Sequence, residues 1–256
     1  MKEKQVYFRI DSQELKKLCM VLGKYQDNML IHADVEGISC MQVESNNISL
    51  IDIRIPYHAL EDYSCIIPEK EEKMRFVLPC VALKKGFLPT TEGMVSVSVF
   101  EDRITFETEI NRTEYVRDPD AVRRMARYDY PDYPSYRLIK SMDYKGFLEF
   151  KKYIDSLKKV TDLVKISGLE HDFILESYSE ECDQVSFRLD GFYTDVKQSA
   201  FFKIKYLKAI VDSIKTLKPK KIEIRLLQDY PIIISCDLNG YHDCVFLVAP
   251  RIENEN

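Results

Sequence analysis

Four stretches of this 256-residue chain carry apolar residues at helical spacing, and each lies between runs that read as strands. Leu15, Leu18, Cys19 and Leu22 fall at i, i+3, i+4 and i+7, behind Asp11 and Ser12 as candidate caps. A weaker pattern covers 80–87. A third stretch holds Phe147, Phe150, Ile154 and Leu157, and a fourth holds Leu207, Ile210, Val211, Ile214 and Leu217 before Pro219 stops it. Around them the chain alternates with period two, as in "MVSVSVFEDRITFETEI", where the turn at Glu101-Asp102 marks a hairpin. The order strand, helix, strands, helix, strands therefore occurs twice. A helix with a single apolar stripe must bury it on something, and here the neighbours in sequence are strands. The expected fold class is α+β, with two similar domains that each pack two helices on antiparallel sheets. The expected boundaries are an N-terminal domain over 1–117, a connector over 118–136 and a C-terminal domain over 137–256. The connector, "DPDAVRRMARYDYPDYPSY", has no sustained period, and Pro131 and Pro134 are expected to hold it extended.

The polar sides of the four helices share a bias toward lysine. On the first, Lys17 and Lys24 point away from the leucine stripe, with Lys16 on the flank. The second offers Lys84 and Lys85. The third carries Lys152 and Lys159 one helical repeat apart, and the fourth Lys205, Lys208 and Lys215. For a single helix, such a face is an ordinary solvated surface. The same bias on four related helices, in a chain whose net charge is −5, reads instead as segregated positive charge facing a polyanion. Lysines grip phosphates rather than base edges, so the contact expected is with nucleic acid and without sequence readout.

Other classes of function find little support. His32, His58, His171 and His242 are scattered, and no nucleophile-elbow, metalloprotease or paired-carboxylate motif is present. Cys236, His242 and Cys244 match no common zinc spacing, so a metal-dependent enzyme is a remote alternative and no cofactor is expected. The seven cysteines are irregularly spaced and mostly sit in apolar runs (Cys19, Cys40, Cys80, Cys236), which suits buried thiols in a reducing compartment. The opening "MKEKQVYFRI" lacks the features of a secretion signal, and no apolar run is long enough to cross a bilayer. An intracellular protein with no membrane partner is expected.

Several segments resemble the DNA polymerase sliding clamp of archaea and eukaryotes, the proliferating cell nuclear antigen family. "EGISCMQVESNNISLIDIRIP" (residues 36 to 56) is similar to that family's segment of alternating apolar residues, an acidic residue, two small polar residues and an apolar-Ser-Leu ending. "DYPIIISCDL" resembles its acidic-x-Pro-apolar strand, and "FLVAPRIE" its closing Leu-Ala-Pro-basic-apolar-Glu signature. "ELKKL" and "KYLKAIV" match in kind and position. The resemblance covers nearly the whole chain. It departs in the connector, where "RRMARYDYPDYP" replaces a more acidic and aliphatic stretch, and at Phe87-Leu88, where the family often has a further basic residue.

The resemblance implies the DNA clamp fold, ring-forming, with three subunits head to tail around duplex DNA. The DNA-facing residues would be Lys16, Lys17, Lys24, Lys84, Lys85, Lys152, Lys159, Lys205, Lys208 and Lys215. Subunits would meet at sheet edges near 103–110 and, on the neighbour, near 173–179. Partners would be DNA polymerase, a clamp loader, flap nuclease and DNA ligase, each docking a short hydrophobic peptide. The residues matching the family's peptide pocket are Val43, Asn47, Ile48, Leu50, Tyr130, Pro131, Pro231, Leu247, Ala249, Pro250 and Arg251. The alternatives within this fold are a checkpoint-type clamp or one subunit of a heterotrimer. The location implied is an archaeal cytoplasm or a eukaryotic nucleus.

Overall fold

The computed structural model describes residues 5–67, 71–117, 119–124, 136, 138–170, 172–178, 185–189, 194–238 and 243–251. The chain divides into two compact units. The first comprises Met1–Ser45, Ile51–Asp129 and Gly240–Asp243, and the second Asn46–Leu50, Tyr130–Asn239 and Cys244–Asn256. Two short segments are thus grouped with the opposite half of the sequence, an exchange that no local pattern encodes.

In the first unit the order is β1 (Val6–Asp11), α1 (Ser12–Leu22), β2 (Met29–Asp34), β3 (Gly37–Val43), β4 (Ser49–Pro56), β5 (Glu61–Cys65), β6 (Met74–Leu78), α2 (Cys80–Lys85), β7 (Met94–Val99), β8 (Arg103–Glu107), β9 (Arg112–Val116) and α3 (Pro119–Arg124). One sheet runs β5-β1-β7-β8-β9, and β4-β3-β2-β6 are neighbours in another. In the second unit come β10 (Leu138–Asp143), α4 (Tyr144–Leu157), β11 (Leu163–Glu170), β12 (Asp172–Tyr178), β13 (Ser186–Leu189), β14 (Thr194–Lys203), α5 (Ile204–Leu217), β15 (Lys221–Leu226), β16 (Ile232–Asp237) and β17 (Asp243–Val248). Here β13-β12-β11-β14 form one sheet, and β10-β15-β16-β17 are neighbours in order. Both units repeat strand, helix, strands, helix and three strands, as the sequence order implies.

The helices start and stop for local reasons. The Asp11 carboxylate accepts from the Gln13 and Glu14 amides at 2.8 and 3.2 Å, and Asp143 accepts from Gly146 at 2.8 Å. In each unit the first strand thus ends in the aspartate that caps the following helix. Helix α5 ends at Leu217, and Lys218 caps it in a left-handed conformation with φ 53° just before Pro219. The apolar stripes are inward: Leu15, Leu18, Cys19 and Leu22 on α1, Phe147, Phe150, Ile154 and Leu157 on α4, and Leu207, Ile210, Val211 and Ile214 on α5 are all buried. Cys19, Cys40, Cys80, Cys236 and Cys244 are buried and in no disulfide, and burial pushes the Cys40 and Cys236 thiols up, away from thiolate chemistry.

Two expectations need correction. The connector does not begin extended: α3 is a six-residue helix. Pro119 supplies the preset φ favoured at a first helical position, and Asp120 puts negative charge in the first turn. The remainder of the connector, 125–135, lies outside the described residues. The second correction concerns the sheet edges. Strand β8 lies between β7 and β9, and β12 lies between β11 and β13, so neither is an edge. Among the described residues, the strands that end these sheets beside β8 and β12 are β9 and β13, with β5 and β14 at the opposite ends. Backbone bonds from Thr108 N to Asn111 O and from Arg117 N to Asp102 O mark the hydrogen-bonded pairs of the β8–β9 ladder. Because such pairs recur every second residue, Thr113 and Tyr115 face β8, while Arg112, Glu114 and Val116 direct their amides outward. The Ser177 N–Val185 O bond fixes β13 likewise, leaving Ser186 and Arg188 directed outward.

Where β9 hands over to α3, the Arg117 guanidinium is half-buried and ties β6 to the residues that flank β1 and β7. It donates to Gln5 Oε1 at 2.7 Å, Phe100 O at 3.1 Å and Arg75 O at 2.7 Å. Desolvation lowers its pKa, offset in part by Glu71 and Glu101. Replacing Arg117 by Met strands these acceptors and is expected to cost about 2–3 kcal/mol in urea unfolding.

Candidate nucleic-acid and peptide interfaces

The ten lysines do not form one uniform set. Lys84, Lys85, Lys152, Lys205 and Lys215 are exposed on α2, α4 and α5. Lys24 and Lys159 are exposed too, but neither is helical: α1 ends at Leu22 and α4 at Leu157. Both lie in the turn that follows, because the apolar period ends at those leucines. Lys16 and Lys17 are half-buried, and Lys17 Nζ lies 2.6 Å from Glu14 Oε1, one helical turn back. Lys205 holds its ammonium 4.7 Å from the centre of the Tyr206 ring.

Lys208 belongs to an ion cluster joining α4 and α5. Lys151 Nζ lies 2.5 Å from Asp155 Oδ2 and 3.2 Å from Asp212 Oδ1. Lys208 Nζ lies 3.1 Å from Asp155 Oδ1 and contacts Asp212 Oδ2. Each cation bridges the two helices, so the four charges alternate and compensate one another. The sequence carried the signal in two Lys-x-x-x-Asp spacings, 151/155 and 208/212, which place each pair on one helix face. What it did not carry is that α4 and α5 bring the two faces together. Sequence reasoning missed Lys151, buried on α4, for that reason.

The titration of the cluster follows from its geometry. Desolvation acts to raise Asp155 and Asp212, but hydrogen bonds and charge from Lys151 and Lys208 outweigh it and hold both carboxyls below their ordinary value of 3.8. A carboxyl depressed on folding contributes stability above its unfolded pKa, and that contribution is lost as pH falls through the folded value. Wild type is therefore expected to lose its thermal-stability advantage over Asp212→Asn as the pH of a melting series is taken below about 4. At neutral pH the advantage stays full.

The residues matched to the peptide pocket are partly surface and partly core. Ala249 N donates to Ile48 O at 2.8 Å, and Arg251 N donates to Phe201 O at 2.8 Å. The closing segment is thus pinned at two points, with Ile48, Ala249 and Pro250 half-buried and Arg251 exposed. Pro231 is half-buried, and its carbonyl accepts from the Tyr136 hydroxyl at 2.8 Å. Asn47 is exposed at φ 57°, a left-handed position that asparagine tolerates. Leu50 and Leu247 are core residues, 8% and 3% exposed. Val43 is half-buried at the end of β3 in the first unit. Tyr130 and Pro131 lie outside the described residues.

Among the described residues no group of three or more His, Cys, Asp or Glu is placed to hold a metal. His171 and His242 lie outside those residues. No helix of the described residues is long and apolar enough to cross a membrane.

No protein-family model matches the chain. A DNA polymerase sliding clamp from Methanothrix thermoacetophila is 24% identical over 254 residues, spanning 96% of this chain and 98% of that protein. DNA polymerase sliding clamp 1 of Sulfolobus acidocaldarius is 24% identical over 255 residues, spanning 94% and 97%. Among solved structures, A. fulgidus PCNA, bound there to the C-terminal region of FEN-1, superimposes with a TM-score of 0.80 at 19% identity over 98% of this chain and all of that one. The PCNA of Entamoeba histolytica does so with a TM-score of 0.80 at 14% identity. From end to end, in sequence and in its doubled strand–helix fold, the chain is thus similar to DNA polymerase sliding clamps and to proliferating cell nuclear antigen structures.

Proposed function

We infer that this chain works as a sliding clamp, a processivity factor that holds a DNA polymerase on its template. The observation that carries the reading is the doubled clamp fold over the full chain, with lysines exposed on the helices of both units. A ring needs no tight grip, because topology prevents escape, and screened lysine–phosphate contacts without register let it slide. No chemistry is required of the protein, which acts by tethering.

Three copies would close head to tail, the β9 edge of one meeting the β13 edge of the next. Each edge offers outward backbone groups in alternation, and Ile110 and Val116 beside the first are 84% and 89% exposed. Polymerase, clamp loader, nuclease and ligase would dock extended peptides beside Ile48 and Ala249–Arg251. Support for the nuclease comes from the A. fulgidus relative with its FEN-1 segment. The site of action is the compartment holding the genome.

Light scattering of the purified chain should give a mass near three times 30.1 kDa. With a clamp loader, the protein should lengthen polymerase products on primed circular DNA. A mass of one chain, with no lengthening on the circle, would sink the homotrimer; restoration by a second clamp chain would assign the heterotrimer instead.

A further inference from the structure

We propose that a groove beside the β2–β3 turn of the first unit is a docking site for an arginine or lysine side chain carried on an extended partner segment. The groove encloses about 520 Å³ and is lined among others by His32, Asp34, Asp52, Arg54, Lys73 and Asp243. It shares no residue with the Ile48 and Ala249–Arg251 segments, so it goes beyond the clamp reading.

The charge in this groove is not closed. Asp52 is 4% exposed, yet both contacts from Arg54, Nε and Nη2 at 3.2 Å, fall on the single oxygen Oδ2. Oδ1 has no hydrogen bond to a described residue. The Arg54 side chain is itself 62% exposed, so solvent screens much of its compensation. Lys73 is engaged with Asp34 at 3.1 Å. Burial pushes the Asp52 carboxyl up, Arg54 only partly opposes this, and Asp243 adds repulsion. A buried carboxylate with a vacant acceptor and a like charge nearby calls for a cationic N–H donor.

The wall is built in advance. Gly37 sits at φ 139°, and a Cβ there would come within 2.2 Å of Ile55 O, so only glycine lets the turn lie this close to β4. Tyr57 N donates to Glu36 O at 2.7 Å, and the Tyr63 hydroxyl lies within hydrogen-bond distance of both Asp34 O and Gly37 O. Preorganisation of this kind lowers the ordering cost of binding. The groove is larger than one guanidinium, and exposed Val35 and Tyr57 adjoin its lining residues. These features suit a peptide whose basic side chain inserts while its apolar neighbours cover the rim.

The probes are the capped peptide Gly-Val-Arg-Val-Gly, the same peptide with Gln for Arg, and arginine amide alone, each titrated into the full-length chain and followed by amide NMR. The arginine peptide should shift the amides of His32, Ile38 and Arg54, and Asp52→Asn should weaken it about tenfold. Asp243→Asn, at an exposed position that the core does not need, should weaken it several-fold and keeps the test valid if Asp52→Asn misfolds. Equal binding of the Gln peptide, or absence of shifts at the groove, would overturn the site. Arginine amide binding as tightly as the peptide would overturn the partner segment.

Discussion

In the proposed three-chain ring, replacing Glu114 by Pro in β9 should leave single chains. The outward amide of Glu114 faces away from β8, so proline removes a hydrogen-bond donor from the free edge while leaving the β8–β9 ladder intact. Its own ion pairs, with Arg103 at 3.6 Å and Arg112 at 3.5 Å, are exposed and contribute little. Mass by light scattering should fall from three chains to one, with thermal unfolding of the chain shifted by only a few degrees. Glu114→Gln keeps the amide and should assemble normally. If Glu114→Pro retains the mass of a trimer, β9 is not the closing edge. A matching break at β13, Arg188→Pro, should behave alike, since Arg188 also directs its amide outward.

The second large effect concerns the lysines. Removing Lys152, Lys205 and Lys215 together should weaken duplex binding and flatten the slope of log K against log salt by about 0.9 for each phosphate no longer neutralised. Replacing Lys208 by Ala should leave the slope unchanged, because its ammonium is already neutralised by Asp155 and Asp212. Converting both aspartates to Asn should do the opposite: it frees Lys151 and Lys208, tightens binding at low salt and steepens the slope. Fluorescence anisotropy of a short labelled duplex, titrated between low and moderate salt, reads all three variants. A flattening in Lys208→Ala equal to that from Lys215→Ala would show that the cluster opens to DNA.

These outcomes also separate what was legible in the residues from what was not. The α+β class, the four helices with their buried stripes, and the doubled order followed from local period and capping. Local rules govern those features: one leucine stripe buries one face, and one aspartate caps one helix. The segments that resemble the sliding clamps were equally readable, through their order and spacing along the chain rather than through any one of them. Lys24 and Lys159 show the limit of period alone, since a periodic charge can continue past the last apolar residue after the helix has ended.

Sequence by itself, then, determined which faces turn inward, where helices begin, and that lysine gathers on the outward faces. Tertiary structure alone decided which lysines are spoken for, which strands are edges, and which half claims Asn46–Leu50. Each of these depends on pairing between segments far apart in the chain. Lys208 differs from Lys215 only because α4 brings Asp155 to it, and β8 is no edge only because β9 folds back on it. Asp52 reads in sequence as one polar residue in an apolar run; only the fold buries it beside the groove and points both Arg54 contacts at one oxygen.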